Sequence, residues 1–200
     1  MTLDVVPDRP AAAARALTEV LAPWVVVLLL PVPIAWHSTG RVLPTVLWSL
    51  VTAVCGSLVP MAVILRAVRK GDLTDHHVGR REQRFRPLAL GLGSVVAGLG
   101  ILLAAGAPAA MVALCTAELA AVAVALVISV WWKVSVHAMV AAGAATMVTL
   151  TFGAALAVLA LPVAAVCWSR VRLRDHTWPQ VTAGAILGTL ISAPIFLALR

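Results

Sequence analysis

Residues 20–40 carry no Asp, Glu, Lys or Arg, and neither do residues 42–65. A span needs about 20 apolar residues, and lipid leaves every backbone polar group to be satisfied internally. Two such runs joined by Arg41 alone therefore predict a helical hairpin across a bilayer. The pattern continues. From Pro87 to Trp132 the only charge is Glu118, and the stretch is too long for one helix. Gly106-Ala107-Pro108 is the natural break, giving spans near 87–105 and 109–132. After Lys133, residues 134–169 are charge-free and again too long. A break at Phe152-Gly153 leaves two short helices near 137–151 and 154–168, and a last span covers about 178–199. The expectation is an all-α polytopic transmembrane bundle of about seven spans, a single membrane domain over 1–200. Within it, 1–19 is a cytoplasmic segment, 66–86 a basic cytoplasmic loop, and 87–199 the core. Hydrophobic residues are 62% of the chain, well above the half usual in a soluble domain. Asp4 and Asp8 stand where a signal peptide would carry its basic leader, so none is expected.

Charge orients the bundle. With seven spans, the N-terminus and the second, fourth and sixth connections share one side. They hold thirteen of the 15 Lys and Arg residues, leaving Arg41 and Arg200 opposite. By the positive-inside rule the basic face is cytoplasmic, the N-terminus lies there, and the chain is a multi-pass cell-membrane protein. Trp131, Trp132, Trp168 and Trp178 fall at span ends on that face, as an interfacial belt does.

Four of the five histidines (His76, His77, His137, His176) lie on the same face, beside Arg80, Arg81, Arg84, Arg86, Lys133, Ser135, Ser169 and Arg170. Single arginines here serve topology and lipid headgroups. Topology has no use for histidines set beside serine and arginine in separate loops. Guanidinium forks fit phosphate oxygens, and imidazole is nucleophile or acid near neutral pH. The combination points to phosphoryl chemistry on a lipid rather than to nucleic acid.

Ser169-Arg170, five residues and His176 resemble the third signature of the type 2 phosphatidic acid phosphatase (lipid phosphate phosphatase) superfamily, which ends in an aspartate four residues after its histidine. Ser135-Val136-His137 is similar to the second signature, Pro-Ser-Gly-His. The loop ending Arg86-Pro87 is similar to the first, a lysine followed six residues later by Arg-Pro. Here residue 79 is glycine, the second motif lacks its proline and glycine but gains Lys133, and Gln180 replaces the aspartate. The chain thus looks like a divergent branch. The resemblance implies a metal-independent phosphohydrolase with His176 as nucleophile through a phosphohistidine. His137 is the acid and Gln180 the residue orienting His176. Arg170, Lys133, Ser135 and one or more of Arg80, Arg81 and Arg84 bind phosphate. The substrate is a lipid phosphate or isoprenyl diphosphate, and no cofactor is required. One alternative is ionisation of a prenyl diphosphate for cyclisation or transfer, with Mg²⁺. The other is non-catalytic binding or transport of a lipid phosphate.

Further residues stand out. Glu118 lies mid-span, where a carboxylate costs about 2.5–3.5 kcal/mol on insertion scales, and is as readily a packing residue as a functional acid. His37 lies alone at the far interface as a headgroup contact. Asp72 and Asp75 could hold Mg²⁺, though loop structure is the simpler role. Cys55, Cys115 and Cys167 show no metal spacing and read as buried thiols. Gly184 and Gly188 form a small-xxx-small pair for close packing.

Overall fold

A computed structural model describes residues 9–200; Asp4 and Asp8 lie outside the described residues. The fold is all-α, with no strand among those residues. The helices are α1 (Arg9–Val20), α2 (Pro23–Leu29), α3 (Pro31–Thr39), α4 (Val42–Ala53), α5 (Val59–Arg69), α6 (Phe85–Ala104), α7 (Ala109–Ser129), α8 (Val136–Phe152), α9 (Ala160–Arg172) and α10 (Trp178–Leu199). Five continuous segments are long and apolar enough to cross a membrane, and a sixth is counted if α1 and the Pro23–Thr39 rod, bent by 42°, are one span. Helix α8 is the shortfall against seven. Its 17 residues rise about 25 Å, less than the ~30 Å of a hydrocarbon core.

Both expected breaks occur. Gly106 (φ 68°) turns α6 into α7, and Gly153 (φ 109°) ends α8 before a 3₁₀ turn, Ala154–Leu159. These are backbone conformations that only glycine adopts without strain. The second apolar run is one long helix, Val42–Arg69, carrying a π turn at Val54–Leu58. Pro60 explains the turn. It has no N–H to give, and its ring crowds the carbonyl one turn back. The loosened Cys55 carbonyl accepts from Ser94 Oγ on α6 at 2.7 Å, and Ser57 Oγ donates to Trp24 O on α2 at 2.6 Å. These two bonds tie the turn to α6 and α2.

The N-terminal segment is helical: Arg9–Val20 forms α1, which buries Ala14 and Thr18 and packs on α9. Thr18 Oγ1 donates to the Ser169 hydroxyl at 3.2 Å.

Helices α8 and α10 run parallel and almost touch backbone to backbone. A Cβ on Gly184 would fall 2.5 Å from Ser135 O, and one on Gly188 would collide with Met139 O. Four-residue spacing places both glycines on one helix face. The close approach lets Ser135 N–H donate to Gln180 O at 3.2 Å, joining the starts of the two helices. Outward faces carry exposed Leu, Val and Ile, with Trp131, Trp132, Trp168 and Trp178 exposed near the ends that meet at this junction.

Candidate functional site: a buried arginine–histidine cluster

Three connections converge at this end. Arg84 opens α6, Lys133 and His137 flank the start of α8, and Arg170 to His176 join α9 to α10. Lys133 Nζ donates to Asp175 O at 2.6 Å, and Arg84 Nη1 to Val134 O at 2.8 Å. Hydrogen bonds therefore bind all three loops into one cluster.

His176 sits at its centre, 5% exposed. Gln180 Oε1 lies 3.1 Å from the Thr177 backbone N and 3.2 Å from His176 Nδ1. Because the Thr177 N–H can only donate, the atom it meets is the amide oxygen, and His176 Nδ1 must carry the proton that oxygen accepts. His176 Nε2 is left unprotonated, its lone pair accepting from Arg84 Nη2 at 3.5 Å. One glutamine does two jobs here: it closes the capping box of α10 with Thr177 and holds the imidazole tautomer. Burial first, then the charges of Arg84, Lys133 and Arg170, push the His176 pKa down to about 3. The ring is neutral at physiological pH, as a nucleophile must be.

That depression has a measurable consequence. Folded His176 refuses a proton between pH 6.5 and about 3, whereas the unfolded chain accepts one below 6.5. Stability is therefore lost as pH falls through this window. Histidine NMR in nanodiscs should find the His176 ring titrating well below pH 5. Titration near 6.5 would contradict the burial and the three-cation environment.

Arg170 is the largest fully buried side chain. Its Nη2 pairs with Asp175 Oδ2 at 3.1 Å, while its Nε is buried without a partner. His137 is likewise buried, and its Nε2 has no partner. Burial, then Arg84, lowers the Lys133 pKa. Among the described residues, Asp175 is the one carboxylate within ion-pair distance of Arg84, Lys133 or Arg170. Buried cationic and N–H groups left short of partners are expensive in an apolar setting. An anion would satisfy them.

A cavity of roughly 220 Å³ opens beside the cluster. His76, His77, Arg84 and His137 line its polar end, and Glu118, Met147 and Ser192 its interior. From His137 to Met147 along α8 is about 15 Å, so a head and part of a chain fit in line. Arg84 serves both regions, lining the cavity and touching His176.

Of the expected residues, the structure brings together His176, His137, Gln180, Arg170, Arg84 and Lys133. Arg80 and Arg81 it does not. Arg80 is exposed, and Arg81 Nη1 is spent on Val130 O at 2.8 Å, capping the C-terminus of α7. Arg84 alone of the three is buried, because Val78 O and Val134 O hold its Nε and Nη1. Ser135 is fully buried and its Oγ accepts from Ala138 N–H as the N-cap of α8, a structural task rather than an open phosphate contact. Asp75 Oδ2 accepts from Gly79 N–H and Thr74 Oγ1 inside its own loop. His37 packs edge-on against Phe152 at the opposite end.

Sequence reading missed Glu19. It meets both His76 (3.4 Å) and His77 (2.9 Å), a pairing across more than fifty residues that no local pattern announces. The His77 ring in turn lies 5.2 Å from that of His137; burial lowers its pKa despite Glu19.

The fold and cluster define a class: a helical, multi-pass membrane protein with a buried arginine–histidine site at one end of the bundle. No family, curated protein or solved structure matches the chain.

Proposed function

We propose that this protein is a membrane phosphohydrolase acting on a lipid phosphate or isoprenyl diphosphate, a divergent relative of the type 2 phosphatidic acid phosphatases. The observation that carries the reading is His176. It is neutral, its Nε2 is unprotonated, and it lies among the buried guanidiniums of Arg84 and Arg170, of which Arg170 Nε lacks a partner. In this mechanism Arg84, Arg170 and Lys133 bind the phosphate oxygens, the larger electrostatic share of phosphoryl transfer. His176 Nε2 attacks phosphorus, an N–P bond forms and the P–O bond to the lipid breaks. The bound anion favours protonated His137, which passes its proton to the leaving oxygen. Water then attacks the phosphohistidine, His137 takes its proton, and phosphate departs. The tail occupies the cavity walled by α2, α5, α6, α7 and α8.

The test is turnover by purified protein of long-chain phosphates and prenyl diphosphates. Release of inorganic phosphate and a lipid alcohol without added Mg²⁺ supports hydrolysis. Mg²⁺-dependent hydrocarbon products would replace it with ionisation chemistry, and tight binding without turnover with a carrier.

Gln180 refines the test. Gln180→Glu keeps the reach of Oε1 to both Thr177 N–H and His176 Nδ1–H and adds the negative charge that an aspartate would supply. It should raise the pKa of His176 and speed phosphate release about tenfold or more. Gln180→Asp should do so less well, being one methylene shorter. Unchanged or slower turnover in Gln180→Glu would leave Gln180 a helix cap only.

The same reading takes seven crossings, α8 among them, with the N-terminus and the site facing the cytoplasm. It rests on the thirteen-to-two division of Lys and Arg. Cysteines introduced as Arg80→Cys and Arg174→Cys should react with an impermeant maleimide only after permeabilisation. Labelling of both in intact cells reverses the orientation.

A further inference from the structure

The polar mouth of the cavity holds a second arrangement that the phosphoryl chemistry does not use. His76 and His77 are neighbours in sequence, and in an extended segment their side chains would point to opposite sides. Here the loop turns so that both Nε2 atoms reach the two oxygens of one carboxylate: His77 to Glu19 Oε1 at 2.9 Å and His76 to Glu19 Oε2 at 3.4 Å. The turn is held in an unfavourable conformation. Val78, immediately after the pair, has φ 48°, a genuine outlier for a β-branched residue. Asp75 Oδ2 braces it through Gly79 N–H.

A ligand atom from each of the three residues lies within 4.8 Å of the other two. Bonds of about 2.0–2.2 Å to imidazole nitrogen and carboxylate oxygen place tetrahedral zinc ligands about 3.4 Å apart, so side-chain rotations that close the set by about 1 Å would seat a cation. Two imidazoles and one carboxylate suit a borderline-soft divalent ion. They also leave a fourth position open.

We propose that Glu19, His76 and His77 form a binding site for a zinc-class divalent cation at the mouth of the cavity. The ion ties α1 to the loop that leads into Arg84. His76 and His77 line the cavity, so the open coordination position is available to water or to an oxygen of an entering anion. The unpartnered His137 Nε2, on the ring next to His77, offers that anion a hydrogen bond. The site has no part in the attack by His176, and it stands or falls independently of hydrolysis.

The experiment uses the full chain in detergent, stripped with a chelator and titrated with Zn²⁺ and Co²⁺. One equivalent should bind, with Co²⁺ giving the intense visible bands of low coordination, and Zn²⁺ should raise the melting temperature by mass action. Glu19→Gln and His76→Asn should each weaken binding by at least about tenfold, while His37→Ala, at the other end, should not change it. Elution and helix content are checked for each variant; two substitutions on separate elements keep the test valid if one misfolds. Absence of stoichiometric binding, or equal affinity in folded Glu19→Gln or His76→Asn, overturns the proposal. Because the readout is binding, an inactive protein that binds Zn²⁺ through these residues sinks the phosphatase reading and leaves this one intact.

Discussion

Phosphate release is expected to fall by at least about 10⁴-fold when His176 is replaced by alanine, because the substitution removes the proposed nucleophile. The imidazole is held by Gln180 Oε1 on one nitrogen and leaves the other unprotonated beside Arg84. Serine hydroxyls nearby offer no substitute: Ser169 Oγ donates to Val166 O, and Ser135 Oγ caps α8. An acid-labile phosphoryl adduct should form on the wild-type protein and be absent from His176→Ala. Arg84→Lys should be damaged in a different way. A lysine cannot reproduce the fork that contacts Val78 O, Val134 O and His176 together, so binding of phosphate and turnover should both weaken while the adduct still forms. Turnover surviving in His176→Ala would end the histidine mechanism and leave this face a lipid-binding surface.

Spans and breaks were legible because lipid makes harsh demands. Charge-free runs of about 20 residues have few alternatives, and Gly106 and Gly153 take the positive φ that a chain reversal or helix break requires. The placing of His137 and His176 at one end of the bundle was expected from the two helical runs that lie between their loops. The pairing of His176 with Gln180 followed from a four-residue spacing across a helix start. Which arginine joins them was not. Arg80, Arg81 and Arg84 lie within five residues, and selection depends on carbonyls at Val78, Val134 and Val130, positions a linear pattern does not relate. Helix α1 escaped because its burial is confined to Ala14 and Thr18, too narrow a stripe to tell from a solvated tail. Glu19 went with it.

The second large effect is expected far from any charged group, at Gly188. Helices α8 and α10 meet through Gly184 and Gly188, and a Cβ at Gly188 would occupy the place of Met139 O, a backbone atom that cannot swing aside. Gly188→Leu must therefore push the helices apart. Moving them severs the Ser135 N–H to Gln180 O bond, draws Gln180 from the start of α8, and separates His137 from His176. Overpacking a tight contact costs about 1–3 kcal/mol when side chains can adjust, and here the obstacle is main chain, so the loss should exceed that range. The melting temperature should drop sharply, and phosphate release should vanish even in the protein that remains folded. Gly93 on α6 supplies the control, because a Cβ there meets nothing within 4 Å. Gly93→Leu should be neutral, or slightly stabilising where it relieves the helix penalty of glycine. Gly184→Ala probes the contact more gently: its Cβ would fall 2.5 Å from Ser135 O, so turnover should decline more than stability does. If Gly188→Leu folds and turns over like the wild type, α8 and α10 do not meet as described, and the cluster built on their junction goes with them.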